Sequence, residues 1–379
     1  MESIKYIGYY SEDDNRYAFP SAVAKMQYIF GALNEIGVKV QIISPCRLKT
    51  KTGKWEKTKD IKVNDMTTLH ICGSFPEKNK LFRTFQIIYS SLWLFFYLVF
   101  KVKRSETILS YHVVLLDKIV MAAKKVKGFK VILEVGEIFN DVENVALAKR
   151  NQEINTIHKA DLFMYSTELL NEVCNPLNKP YVVAQGSYKV QRRFDPLFSD
   201  GKIHIVYAGI LRKDKGVDVA INLADFLDEK YVIHILGYGE ESDIDRVKKE
   251  VNKVGTKSGC KAIYEGLLSG DRYNQFIQSC DLGLCTQSAN VSYNTTAFPS
   301  KVISYLSNGV PVIAVKIKSL EYSEVNHLIK LYENDEHPEE QIAEIIREYS
   351  FSNDNKEKIR MEINRLDELF KQKILELHD

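Results

Sequence analysis

Two short stretches in the second half of the chain set cations where they could meet a phosphate. In residues 204–224, HIVYAGILRKDKGVDVAINLA, an apolar run leads into a turn with Gly209, then Arg212 and Lys215, then a helical pattern. In residues 298–315, FPSKVISYLSNGVPVIAV, Ser300 and Lys301 open a second helical pattern with a strand close behind. A helix N-terminus offers unpaired N–H groups and the positive end of its dipole, so a diphosphate seated there is stabilised, more so with cations beside it. Each stretch alone also reads as a capped turn with solvated charge. Together they bring two helix N-termini to the carboxyl edge of one sheet, the edge at which parallel sheets bind ligands.

The elements that must hold these residues follow from periodicity. From residue 203 short apolar runs alternate with amphipathic segments, the pattern of βαβ units and a parallel sheet. Strands are predicted at 203–208, 231–236, 261–264, 281–286 and 310–315. Ala220, Leu223, Ala224 and Leu227 fall at i, i+3, i+4 and i+7 and predict a helix between the first two. A further helix is predicted over 300–308, capped by Gly309 with Pro311 beyond. The first half repeats the alternation less cleanly. Strands are predicted at 4–10, 38–43, 107–111, 130–135, 162–165 and 181–184, with helices near 20–36, 82–100 and 115–127 and a loop or hairpin over 48–66. Residues 185–201, with Gly186, Pro196 and Gly201, read as a linker. The expectation is two α/β domains, 1–190 and 200–345, and a terminal helix at 355–379 with Ile359, Ile363, Leu366 and Phe370 at helical spacing.

Composition excludes several classes. The 379 residues are 45% apolar, enough for two domains with their own cores. Lys and Arg number 52 against 50 Asp and Glu, and a net charge of +2 gives no footprint for duplex nucleic acid. The six cysteines are scattered without Cys-x-x-Cys spacing, which predicts a reducing compartment and no structural zinc. Met1-Glu2-Ser3 runs straight into a strand-like segment rather than a secretory signal, so a cytoplasmic protein is expected. Residues 85–100, FQIIYSSLWLFFYLVF, are flanked by Lys80 and Arg83 before and by Lys101, Lys103 and Arg104 after. At 16 residues the run is shorter than the ~20 that span a bilayer as a helix. It reads as a core helix, as a helix lying on or dipping into a membrane, which would make the protein peripheral on the inner face of the cell membrane, or as a true span. Asp243-x-Asp245 sits at a helix start, where acids favour the dipole, and Gly237-x-Gly239 is too short for a dinucleotide fingerprint. No metal site is expected.

YAGILRKDKGVD, ILGYGEE at 235–241, IYEGLLSGDRYNQFIQSCDLGL at 263–284 and FPSKVISYLSNGVPVIA stand in one order and register. In this the sequence resembles the retaining GT-B glycosyltransferases of family four (glycosyl transferases group 1), over residues 203–315. The resemblance implies an α/β GT-B fold, two Rossmann-like domains facing across a cleft, with the terminal helix packing back toward the first domain. It implies a nucleotide diphosphate sugar, UDP- or GDP-linked, as donor substrate, no cofactor and no metal. Gly209, Arg212 and Lys215 would meet the diphosphate from one side and Ser300, Lys301 and Val302 from the other. The family's Glu-x7-Glu is replaced here by Thr296 and Ser304, and the arginine that often follows the strand glycine by Ile210. In the first half, His112 and Glu137 fall where such enzymes carry a histidine near the sugar and an acid on the acceptor side. His112 also reads as a structural histidine, and Glu134 and Glu137 as loop charges. The function implied is transfer of a sugar to a glycan, or a lipid-linked glycan in surface polysaccharide synthesis. The loss of both acids opens two alternatives: a catalytically silent partner of an active transferase, and another GT-B enzyme such as a sugar-nucleotide epimerase.

Overall fold

The computed structural model describes residues 3–142, 146–256, 258–289, 296–333 and 336–378, which divide into two compact units. The first comprises residues 1–184 and 368–379 and the second 185–367.

The first unit runs β1 (Ser3–Ile7), α1 (Pro20–Glu35), β2 (Lys39–Ser44), β3 (Lys59–Lys62), β4 (Thr67–Ile71), α2 (Lys80–Lys101), β5 (Thr107–Tyr111), α3 (Val114–Lys127), β6 (Lys130–Val135), α4 (Phe139–Val142), α5 (Leu147–Ile157), β7 (Leu162–Tyr165), α6 (Leu169–Cys174) and β8 (Tyr181–Val183). The strands form one sheet in the order β3-β4-β2-β1-β5-β6-β7-β8. Every neighbouring pair is parallel except β3 with β4. β1 therefore lies between β2 and β5 at the point where strand order reverses. β1 stops at Ile7, short of the predicted Tyr10, because the Tyr10 N–H turns back onto the Gly8 carbonyl at 3.0 Å. The 48–66 segment holds the short edge strand β3, whose hairpin partner β4 was not predicted although Leu69 and Ile71 alternate with Thr68 and His70. α2 starts where the Asn79 side chain accepts from the Leu81 and Phe82 N–H groups at 3.0 and 3.1 Å.

The second unit runs β9 (Ile203–Ile210), α7 (Val217–Asn222), β10 (Tyr231–Tyr238), α8 (Glu241–Val251), β11 (Lys261–Gly266), α9 (Gly270–Ser279), β12 (Leu282–Cys285), α10 (Ser300–Ser307), β13 (Val312–Val315), α11 (Lys318–Glu321), β14 (Ile329–Tyr332), α12 (Pro338–Glu348) and α13 (Asn353–His378), whose last residues belong to the first unit. Its sheet is parallel in the order β11-β10-β9-β12-β13-β14. β9 is buried from His204 to Ala208, as a strand covered by helices on both faces must be. The predicted helix over 220–227 is broken: α7 ends at Asn222 and the chain tightens into a 3-10 turn, Leu223–Phe226. The apolar stripe survives the change, since Ala220, Leu223 and Ala224 are fully buried and Leu227 is nearly so. Both units are Rossmann-like α/β layers built on a parallel sheet.

Candidate functional site

In the second unit strand order reverses between β9 and β12, so a crevice belongs at their carboxyl ends. Gly209 lies at the end of β9. A Cβ there would come within 3.1 Å of Lys301 Nζ and 3.5 Å of the Tyr207 hydroxyl, so the bare glycine makes room for the lysine head. Lys301 reaches this position from the first turn of α10, and its Nζ sits 4.1 Å from the centroid of the fully buried Tyr207 ring. That ammonium is buried and has no hydrogen-bond partner among the described residues. Burial pulls the Lys301 pKa below the usual lysine value, and Lys215 adds to the depression against the opposing effect of Cys285. The aromatic face supplies a weak cation–π attraction only.

The chain leaving β9 forms a 3-10 turn, Lys213–Lys215, rather than entering a helix directly. Tyr207 fixes this turn from below, its hydroxyl lying 2.9 Å from the carbonyls of both Ile210 and Lys215. Thr286, just past β12, fixes it from the side by donating to the Gly216 carbonyl at 2.6 Å. Gly216 has φ +80°, and a Cβ on it would stand 1.7 Å from the Thr286 carbonyl oxygen, so glycine alone fits. Arg212 is exposed and grips Asp214 with two contacts of 2.9 and 2.6 Å, which holds the Asp214 carboxyl below its usual pKa.

α10 begins without a side-chain cap, and Ser300 is exposed at its first position. Val302 is fully buried and its N–H donates to the Pro299 carbonyl at 3.0 Å, so this group already has an acceptor within the chain. Tyr305, three residues on, takes the Ala208 N–H on its hydroxyl at 2.7 Å and ties α10 to β9. At the positions of the family's acid pair, the Thr296 hydroxyl is buried with no hydrogen-bond partner among the described residues, and Ser304 shares a 3.0 Å hydrogen bond with the Tyr273 hydroxyl. The structure thus brings Gly209, Lys215 and Lys301 to one sheet edge. Tyr207, Tyr273, Tyr305 and Thr286 complete the setting, and none of them was singled out by residue type or spacing.

In the first unit the equivalent edge lies at β1, β5 and β6. Glu134 is fully buried at the end of β6, accepts from the Tyr6 hydroxyl and lies 3.4 Å from Lys25 Nζ. Burial raises its pKa, and Lys25 offsets part of that rise. Glu137 is half-buried two residues beyond β6, near enough to Tyr111 to raise the phenol pKa further after burial and Glu134 have done so. His112 is 1% exposed, with Nδ1 2.5 Å from Asp117 and Nε2 2.8 Å from Glu153. Burial works against the charged ring, but the two carboxylates prevail and raise its pKa to about 9. Glu153 also accepts the N–H groups of Phe139 and Asn140 at 2.8 and 3.0 Å. An imidazolium engaged at both nitrogens has no lone pair with which to accept a proton. This geometry revises the expectation for His112: its ring is clamped between Asp117 and Glu153, and Glu153 in turn holds the 139–140 segment.

Comparison with known proteins fits this geometry. Residues 189–363 match the sequence profile of the family described as glycosyl transferases group 1, a stretch that falls within the second unit. No curated protein matches the chain by sequence. Among solved structures, an E. coli protein described as trehalose-6-phosphate bound with UDP-2-fluoro glucose superposes with a TM-score of 0.69 at 11% identity, covering 100% of this chain and 99% of its own. An alpha,alpha-trehalose-phosphate synthase (UDP-forming) from Burkholderia xenovorans, in complex with glucose-6-phosphate, gives 0.69 at 10% identity over 100% of both chains. Alr3699/HepE of Anabaena, in complex with UDP, gives 0.62 at 12% identity over 99% of both. The chain has the GT-B fold. At such low identities the likeness is one of fold, and within this GT-B chain it is the second unit that carries the glycosyltransferase profile.

Proposed function

We propose that the protein is a glycosyltransferase that moves a sugar from a nucleotide diphosphate sugar to a glycan acceptor. The observation that carries the reading is the buried Lys301 ammonium, without a hydrogen-bond acceptor among the described residues, at the strand-order reversal of the second sheet. A buried cation in that state is costly, and a diphosphate supplies the missing acceptor. Lys301 meets the donor diphosphate from α10, Lys215 and Arg212 meet it from the turn after β9, and Gly209 lets it approach the backbone. Ser300 and Val302 shape the first turn of α10, and Thr296 and Ser304 offer hydroxyls to the sugar and ribose. As the glycosidic bond breaks, charge gathers on the leaving diphosphate, and fixed cations lower that barrier. Transfer with retention and without a metal accords with the resemblance. A uridine base accords with the UDP and UDP-sugar complexes of the structural neighbours. On the acceptor side, Glu137 and the His112 carbonyl are assigned to the carboxyl edge of the first sheet. A lipid-linked glycan of surface polysaccharide synthesis is the acceptor that best suits the apolar face of α2.

Lys301→Met tests this with two readouts that move in opposite directions. Replacing a buried ammonium by an isosteric apolar chain should raise the melting temperature of the ligand-free protein, by about 2–4 °C per kcal/mol for a unit of this size. The same change should weaken UDP binding by roughly ten- to hundredfold, the loss of one charge-assisted contact. A variant that keeps the wild-type thermal shift with UDP contradicts the assignment. The silent-partner reading draws on the two neutral hydroxyls at Thr296 and Ser304. A panel of UDP- and GDP-sugars separates the readings: thermal stabilisation with slow hydrolysis supports the transferase, and stabilisation without turnover under any acceptor supports the silent partner.

A further inference from the structure

α2 is apolar on the side that faces water. Leu81, Phe85, Ile88, Leu92, Phe96 and Phe100 recur at spacings of three and four and are 49% to 72% exposed. They lie opposite the buried residues Gln86, Ser90, Leu94 and Leu98. Residues 84–100 contain no charged side chain, whereas Lys78, Lys80 and Arg83 stand at one end and Lys101, Lys103 and Arg104 at the other. No Asp or Glu occurs from 78 to 105, so this segment concentrates six positive charges in a chain whose net charge is +2. Among the described residues none of the six is ion-paired. Along the margin of the stripe, Trp93 stacks on His70 at 5.5 Å and Tyr97 lies tilted against it at 5.1 Å, beside a groove of about 550 Å³. Amphipathic rings at an apolar margin and cations at its ends are the arrangement of a membrane-interface helix.

Two other occupants fit less well. With 22 residues, α2 is long enough to cross a bilayer. Its other face is committed to the protein, because Leu94 and Leu98 are fully buried in one core with Val102, Leu116 and Val120, and the Gln86 amide donates to the Leu48 carbonyl at 3.1 Å. A second copy of the chain pairing α2 with α2, parallel or antiparallel, sets three cations against three with no carboxylate in the segment to relieve them. We infer that α2 lies in the plane of an anionic bilayer surface, with its apolar stripe among the acyl chains and its six cations on the lipid phosphates. The docking is independent of catalysis, and only its use, bringing the enzyme to a lipid-linked acceptor, rests on the proposed transfer.

Co-sedimentation of the full chain with vesicles of phosphatidylglycerol and phosphatidylcholine, and with phosphatidylcholine alone, tests the inference. Wild type should pellet with the anionic vesicles and release as salt is raised. Each cation near such a surface contributes roughly fivefold, so Lys101→Gln/Lys103→Gln/Arg104→Gln should bind about a hundredfold more weakly. Leu92→Gln/Phe96→Gln, at half-exposed positions, should lose at least about tenfold through the apolar term. Circular dichroism melts establish that both variants are folded. Wild type left in the supernatant with anionic vesicles overturns the inference, as does undiminished pelleting of both folded variants. A wild-type dimer that Leu92→Gln/Phe96→Gln splits into monomers overturns it as well, and gives the stripe to a second copy. Pelleting without any response to UDP- or GDP-sugars would sink the transferase reading and leave the docking intact.

Discussion

Lys301 and His112 are both buried cations, and the protein treats them in opposite ways. His112 is bracketed by Asp117 and Glu153, while Lys301, without a hydrogen-bond partner among the described residues, lies over an aromatic face. The consequence for His112 is a pH dependence of stability. Its folded pKa of about 9 stands above the ordinary 6.5, so its contribution is fully present below pH 6.5 and is lost as pH rises through about 9. That interval corresponds to roughly 3 kcal/mol. Urea midpoints measured from pH 6 to 9.5 should fall across the window in wild type and stay flatter in His112→Gln; equal slopes would remove the imidazolium. Both residues stood out in the sequence by type and by position after a strand or at a helix start. Their opposite states did not, because Asp117, Glu153 and Tyr207 reach them from other elements or from the face of a strand that spacing does not identify.

At the scale of the element, the turn from Arg212 to Gly216 decides where the cations of β9 point. It is pinned by Tyr207 from its own strand and by Thr286 from the neighbouring one. Gly216→Ala forces a Cβ against the Thr286 carbonyl, and we expect a loss of about 2 kcal/mol or more together with weaker UDP binding. A Thr286→Val variant should weaken UDP binding by less, since it removes one hydrogen bond and adds no clash. Calorimetry on the pair checks the order, and an alanine at 216 that binds UDP normally would show the turn to be irrelevant to the ligand. Sequence reading placed a helix through this region on the strength of a correct apolar stripe. The backbone tightened into 3-10 turns on either side of α7, which keeps the same residues buried and is invisible to periodicity.

At the scale of the whole chain, the two units share α13. Residues 368–379 cluster with the first unit, where Phe370 stacks on Tyr28 at 5.5 Å and Lys371 pairs with Glu35 at 2.5 Å. Phe370, Ile374 and Leu377 are each at most 6% exposed. Ending the chain at Asp367 should cost the first unit roughly 5 kcal/mol of apolar burial. Two thermal transitions are then expected, with the lower one belonging to the first unit and the upper one still rising with UDP. A single unshifted transition would mean that the terminal residues add nothing to that unit.

The sequence by itself determined the class of fold, because parallel strands covered on both faces must be largely apolar, and 205–208 and 131–133 are unbroken apolar runs. It also determined which residues stand at the carboxyl ends of those strands, since a βα turn follows each strand in order. Only the tertiary structure decided that the head of Lys301 lies over Gly209, beside a ring from β9, because that approach depends on α10 being tied to β9, where Tyr305 and Ala208 are 97 residues apart in the chain. The charge state of each site residue was settled in the same way. Desolvation and the nearest carboxylate set a pKa, and both are properties of neighbours in space rather than in sequence.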